Sequence, residues 1–105
     1  MDFSKRVLRL TALIPPGRVS TYGEVAKALG GVRFSRAVGV ALNKNPHPVK
    51  VPCHRVVRSD GRVGGYSSGV AEKIRLLAEE GVIVGDGKVL DFGNKLITYD
   101  ELRRL

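Results

Sequence analysis

The chain has 105 residues, room for one domain with one core. At 43% apolar and 27% charged it is expected to fold rather than stay disordered, and no apolar run approaches the roughly 18 residues of a membrane span. A net charge of +8 points to a polyanionic partner. The charge is uneven: residues 1–66 hold twelve Lys and Arg against three acids, while residues 67–105 hold six against seven. The N-terminus has no charged segment leading into an apolar one, and a single cysteine makes no internal disulfide, so a cytoplasmic protein without a signal peptide is expected.

The first element is an amphipathic helix over Asp2–Ile14, with Phe3, Val7, Leu10 and Ile14 at steps of three and four, Asp2 as N-cap, and Pro15-Pro16-Gly17 ending it. Thr21-Tyr22-Gly23-Glu24 fits a capping box, hydroxyl and carboxylate each taking an orphan amide. The second helix it opens carries Tyr22, Val25, Ala26 and Leu29 on one face and stops at Gly30-Gly31. A third helix follows, with Phe34, Ala37, Val38, Ala41 and Leu42 as its apolar face and Arg33 and Arg36 off that face in its first turns. Two short helices joined by a glycine turn, the second basic near its start, match a helix-turn-helix.

Asn45-Pro46-His47-Pro48 reads as a loop, since each proline pushes its predecessor out of the α region. Val49–Val57 reads as extended or turn-like backbone around Pro52-Cys53-His54. A glycine-rich loop with two arginines spans 58–69. A helix over Val70–Glu80 places Val70, Ile74, Leu77 and Ala78 on its apolar face, and Gly81 closes it. Val82-Ile83-Val84, Gly85-Asp86-Gly87 and Lys88-Val89-Leu90 form a hairpin, and Thr98-Tyr99-Asp100-Glu101 caps a last short helix. The expected architecture is one α+β, mostly helical domain over 1–105: a winged-helix-like helix-turn-helix with a small C-terminal hairpin.

One Cys and two His are too few for a zinc site of the usual spacing, so no metal is expected. His54 follows Cys53 directly, and on extended backbone neighbours point to opposite faces, so contact needs a tight turn, helical onset or a bridging water. A papain-like protease is therefore a poor reading. A lone cysteine is often a small core residue, but Pro52 before it and His54 and Arg55 after it suit thiolate chemistry better than core filling.

The run Pro52-Cys53-His54-Arg55-Val56-Val57 resembles the active-site signature of the O6-alkylguanine-DNA alkyltransferases. So do, in order, the blocks Val19–Ala26, Arg36–Gly39, Asn43–Pro46, Gly64–Gly69 and Leu76–Gly81, a likeness covering about residues 3–81. The resemblance implies that Cys53 accepts an alkyl group from O6-alkylguanine in double-stranded DNA, irreversibly and once, without a cofactor. It implies a relay from Glu80 through His54 and a water to Cys53, and a turn held by Asn45. The lesion lies inside the duplex stack, so the nucleotide must be extruded. The resemblance gives Arg36 the vacated space and Tyr22 the neighbouring phosphate and the flipped base. Tyr66 and Ser67 wall the pocket, the carbonyls of Cys53 and Val56 read the base edge, and Arg33 and Arg62 complete the DNA face, entered through the minor groove. The family's usual N-terminal domain is not expected here, and residues 82–105, beyond the likeness, are expected to cap the core in its place. A monomer is expected.

The rival implied by the same likeness is an alkyltransferase-like protein, which binds such lesions without transfer and hands them to excision-repair proteins. Those proteins usually replace the acceptor with Trp or Ala, whereas this chain keeps Cys53. A plain helix-turn-helix regulator leaves Cys53, His54 and Glu80 unexplained.

Overall fold

A computed structural model describes residues 2–105. Helix α1 spans Phe3–Thr11, capped by Asp2, whose carboxylate accepts from Lys5 N–H at 2.9 Å. It ends before the expected Ile14: Ala12 and Leu13 form a closing turn, and Pro15 keeps Ile14 from continuing the helix. Ile14 still reaches the core with Val7, as the spacing predicted.

Strand β1 (Ser20–Thr21) runs directly into α2 (Tyr22–Ala28). Thr21 Oγ1 accepts from Glu24 N–H at 3.0 Å, half of the expected capping box. The Glu24 carboxylate does take an orphan amide, but it is the Tyr99 N–H of the last helix, at 2.8 Å. A local motif thus serves a long-range contact. A 3-10 turn over Val32–Phe34 leads into α3 (Ser35–Asn43), so Arg33 lies in that turn rather than in the helix. The buried stripe of α3 is Val38, Ala41 and Leu42, and Ala37 faces out.

Strand β2 (Val56–Val57) pairs in parallel with β1, in register Ser20 with Val56 and Thr21 with Val57. Helix α4 spans Val70–Glu79. Its buried stripe is Lys73, Leu76 and Leu77; of the expected face Leu77 is buried and Ile74 packs against the core, but Val70 and Ala78 are exposed. A lysine displaces the expected register because two backbone carbonyls receive its charge, as described below.

Strands β3 (Val84–Gly85) and β4 (Lys88–Val89) form the expected hairpin, with the turn narrowed to Asp86-Gly87. Both turn residues have positive φ, 51° and 78°, as the tightest two-residue hairpin turn demands. A one-turn helix α5 (Phe92–Lys95), absent from the sequence reading, precedes α6 (Tyr99–Arg104).

The segment after residue 82 is integral to the fold. Val63 N–H donates to Gly87 O and Val89 N–H to Gly61 O, both at 2.9 Å, so the hairpin grips the root of the 58–69 loop. Ile97 N–H donates to Val19 O at 2.7 Å and Val19 N–H to Lys95 O at 3.0 Å, so the segment before α6 lies along β1. Ile97 and Leu102 enter the same core cluster as Val7, Val38 and Val56.

Candidate active site

Cys53 is placed by backbone that neither a helix nor a strand would supply. Pro52 (φ −79°, ψ 63°) sits at the centre of a three-residue turn in which Cys53 N–H donates to Val51 O at 2.7 Å. A 3-10 turn over Cys53–Arg55 follows, where extended backbone was an option from sequence. Asn45 fastens this arrangement: Nδ2 donates to Val51 O at 2.9 Å, and Oδ1 accepts from His47 N–H at 2.9 Å. The same Nδ2 lies 3.4 Å from Cys53 Sγ, a donor able to stabilise negative charge on sulfur. That second role had no signal in the sequence beyond the presence of an amide.

The 3-10 turn sends neighbouring side chains apart. Cys53 opens into a cleft, while His54 is fully buried with Nε2 at 3.1 Å from Glu80 Oε2. An ionised carboxylate only accepts, so Nε2 carries the hydrogen and Nδ1 presents a lone pair to the interior. Nδ1 is buried and has no hydrogen-bond partner among the described residues. Burial holds His54 below its ordinary titration range against the opposing pull of Glu80. Burial works against the Glu80 charge, but hydrogen bonds from Arg55 and His54 outweigh it and hold that carboxyl below the usual range.

Two residues that the sequence reading did not assign complete the interior. Arg55 donates through Nε to Glu80 Oε1 at 2.9 Å, through Nη2 to Oε2 at 2.6 Å and through Nη1 to Ile14 O at 2.7 Å. Lys73, with no exposed surface, donates to Val56 O at 2.8 Å and Gly65 O at 3.0 Å. Its Nζ lies 5.9 Å from the centre of the Tyr22 ring. Burial, opposed by Cys53, brings its ammonium down to about 8. The signal for Lys73 was in helical phase: it stands three and four residues before Leu76 and Leu77, inside the apolar stripe.

The cleft, about 590 Å³, is lined by Tyr22, Arg36, Cys53, Tyr66 and Ser67 among others. Helices α2 and α3 contribute the near wall, and the 58–69 loop the far one. Burial first, then Cys53, pushes the hydroxyls of Tyr22 and Tyr66 upward, with Arg58 opposing at Tyr22, so both remain protonated donors at neutral pH. Gly64 (φ 72°) lets the loop close on Tyr22; a Cβ there would lie 3.4 Å from the Tyr22 hydroxyl and 3.2 Å from Arg58 Cγ.

Of the sequence-selected residues, the structure brings together Cys53, His54, Glu80 and Asn45 as one connected group, with Tyr22, Arg36, Tyr66 and Ser67 around the cleft it opens into. Three fall elsewhere. The Val56 side chain is core and its carbonyl already accepts from Lys73, which leaves one lone pair for any base edge. Arg33 stacks on Phe34, 4.9 Å from the ring centre, and Arg62 pairs with Asp60 at 3.5 Å while its backbone forms an antiparallel β-bridge with Lys88. Neither lines the cleft.

The fold is a helix-turn-helix domain with a cysteine lining its cleft and a His–Glu pair in the adjoining turn and helix end. A family model for the DNA-binding domain of 6-O-methylguanine DNA methyltransferase matches residues 2–82. The methylated-DNA–protein-cysteine methyltransferase of Methanothermobacter thermautotrophicus is 49% identical over 81 residues, 77% of this chain and 45% of that protein. The crystal structure of Mycobacterium tuberculosis OGT in complex with DNA superposes with a TM-score of 0.74 at 41% identity, covering 77% of this chain and 49% of that one. S. pombe Atl1, crystallised with damaged DNA containing O6-carboxymethylguanine, gives a TM-score of 0.79 at 31% identity, covering 91% of this chain and 94% of that one. The chain belongs to the 6-O-methylguanine DNA methyltransferase DNA-binding-domain family. It spans about half the length, or less, of the curated relatives it matches.

Proposed function

We propose that this protein repairs alkylated DNA by transferring the alkyl group of O6-alkylguanine to Cys53. The observation that carries this reading is the placement of Cys53 Sγ in an open cleft, 3.4 Å from the Asn45 amide, beside a buried His54–Glu80 pair. Duplex DNA meets α2 and α3, and Arg36, exposed at the cleft mouth, occupies the space of the extruded guanine. The Cys53 thiol gives its proton to His54 Nδ1 through a water, and Glu80 supports the imidazolium that forms. Sulfur attacks the alkyl carbon in line as the bond from that carbon to O6 breaks. Tyr22, a protonated phenol on the cleft wall, donates toward the leaving guanine, and Tyr66 and Ser67 hold its other side. The thioether formed has no route back, because a thiolate is a poor leaving group from saturated carbon. Each molecule reacts once.

Incubation with a duplex containing O6-methylguanine, followed by intact mass, tests this reading. One added methylene, absent in Cys53→Ala, is the expected result. The reach of the likeness to S. pombe Atl1 over nearly both whole chains favours a second reading, lesion recognition without transfer. Tight binding to the lesion duplex with an unchanged mass would select that reading instead.

A further inference from the structure

Arg55 lies beside the reacting group but touches no cleft surface, and its three hydrogen bonds tie together three separate parts of the chain. From the 3-10 turn that bears Cys53 and His54 they reach Ile14 O, in the segment after α1, and Glu80, at the end of α4. Both oxygens of Glu80 are engaged by the guanidinium fork, and Oε2 is shared with His54 Nε2. A planar fork matched to a carboxylate fixes its orientation as well as its charge, which a lysine cannot do. The Arg55 and Glu80 side chains are only 13% and 17% exposed, so solvent screens this pair far less than a surface one.

A carboxylate alone against a buried imidazole would hold the ring as imidazolium. An imidazolium cannot accept the thiol proton. With its charge already matched by Arg55, Glu80 orients the ring without trapping the proton. We propose that Arg55 is a positioning residue of the Cys53 site: its fork fixes Glu80 and offsets its charge, so that His54 stands neutral with Nδ1 ready to accept. The acid–base unit is then Arg55–Glu80–His54 rather than Glu80–His54. The charged and titratable groups acting on His54 are Glu80 and Lys73 from α4 and its end, and Arg55 from its own turn. Arg55 and Lys73 both oppose a charge on the ring, and only Glu80 favours one.

The proposal rests on the role given to Cys53 above, so its test uses no DNA. Cys53 is the single cysteine, and iodoacetamide alkylates it with loss of iodide as the thiol proton passes to His54. The rate of that reaction is followed against pH, beside an NMR titration of the His54 ring, in the full chain and in Arg55→Met and Arg55→Lys. In Arg55→Met the His54 midpoint is expected to rise by about one pH unit or more, and the acid limb of Cys53 alkylation to move with it. Arg55→Lys, which keeps the charge and loses the fork, is expected to hold the midpoint near that of the unaltered chain while the plateau rate falls several-fold. If Arg55→Met does not fold, the Arg55→Lys pattern alone decides. An unmoved midpoint and limb in Arg55→Met, or an Arg55→Lys protein equal to the unaltered chain in both measures, would make Arg55 a strut and overturn the proposal. A shifted limb with no methyl transfer from DNA would leave Arg55 in place and remove only the transferase reading.

Discussion

The interior behind Cys53 and the rim in front of it are built on opposite principles. Behind it, Asn45, His54, Arg55, Lys73 and Glu80 are buried or mostly so, and each is joined to backbone or to another member of the group. At the rim, Arg36 and Ser67 are exposed and are held in place only by the helix and loop that carry them. The difference follows from what each must do. Proton transfer requires fixed dipoles within a few tenths of an ångström. Contact with a polyanion requires charge that stays solvated until the duplex arrives. A variant in the interior should therefore damage chemistry more than binding, and a variant at the rim the reverse.

The largest expected effect tests the interior. Glu80→Gln should slow transfer from an O6-methylguanine duplex by about 100-fold or more in single-turnover assays, with lesion binding changed little. A comparable loss in both would dissolve the contrast. The pH profile sharpens it: His54 is held below its ordinary 6.5, so the accepting, neutral ring persists as pH falls through 6.5. The transfer rate should stay level from pH 8 to below 6.5 and fall only as His54 gains its proton; an acid limb at or above 6.5 would show the ring stabilised as a cation.

Lys73→Met tests whether interior order is structural as well. It leaves the carbonyls of Val56 and Gly65 without their donor, and chemical denaturation should report a loss of about 1–3 kcal/mol. Arg36→Ala tests the rim. Processing of the lesion duplex should fall about tenfold, with the salt dependence of binding shallower by about one phosphate contact, while reaction with free O6-benzylguanine is nearly unchanged. Equal losses on both substrates would take Arg36 out of base extrusion. The smallest effect lies between the two regions. Val49 is exposed and has φ 73°, a left-handed conformation that a β-branched residue adopts only under strain. Val49→Gly should stabilise the fold by up to about 1 kcal/mol. A loss instead would mean that the Val49 side chain supports the turn before Cys53.

Local patterns were enough for much of the fold. The caps at Asp2, Thr21 and Thr98, the helix-turn-helix, the loop at Asn45–Pro48 and the Asp86-Gly87 hairpin depend on residues within a few positions of one another. Such interactions survive in one dimension. The candidate nucleophile, its His and its Glu were legible because a short ordered set of motifs carried them. What the sequence could not hold was reach. The Glu24 carboxylate was assigned to its own helix and serves one that starts 75 residues on. Arg55 read as a basic neighbour of Cys53 and is a bridge from the segment after α1 to the end of α4. Lys73 had no place in the sequence reading and lies in the core, because two carbonyls from different segments converge on its ammonium. Periodicity assigns a side chain to a face. Only packing decides whether a charge on that face meets water or the two or three partners that make its burial affordable.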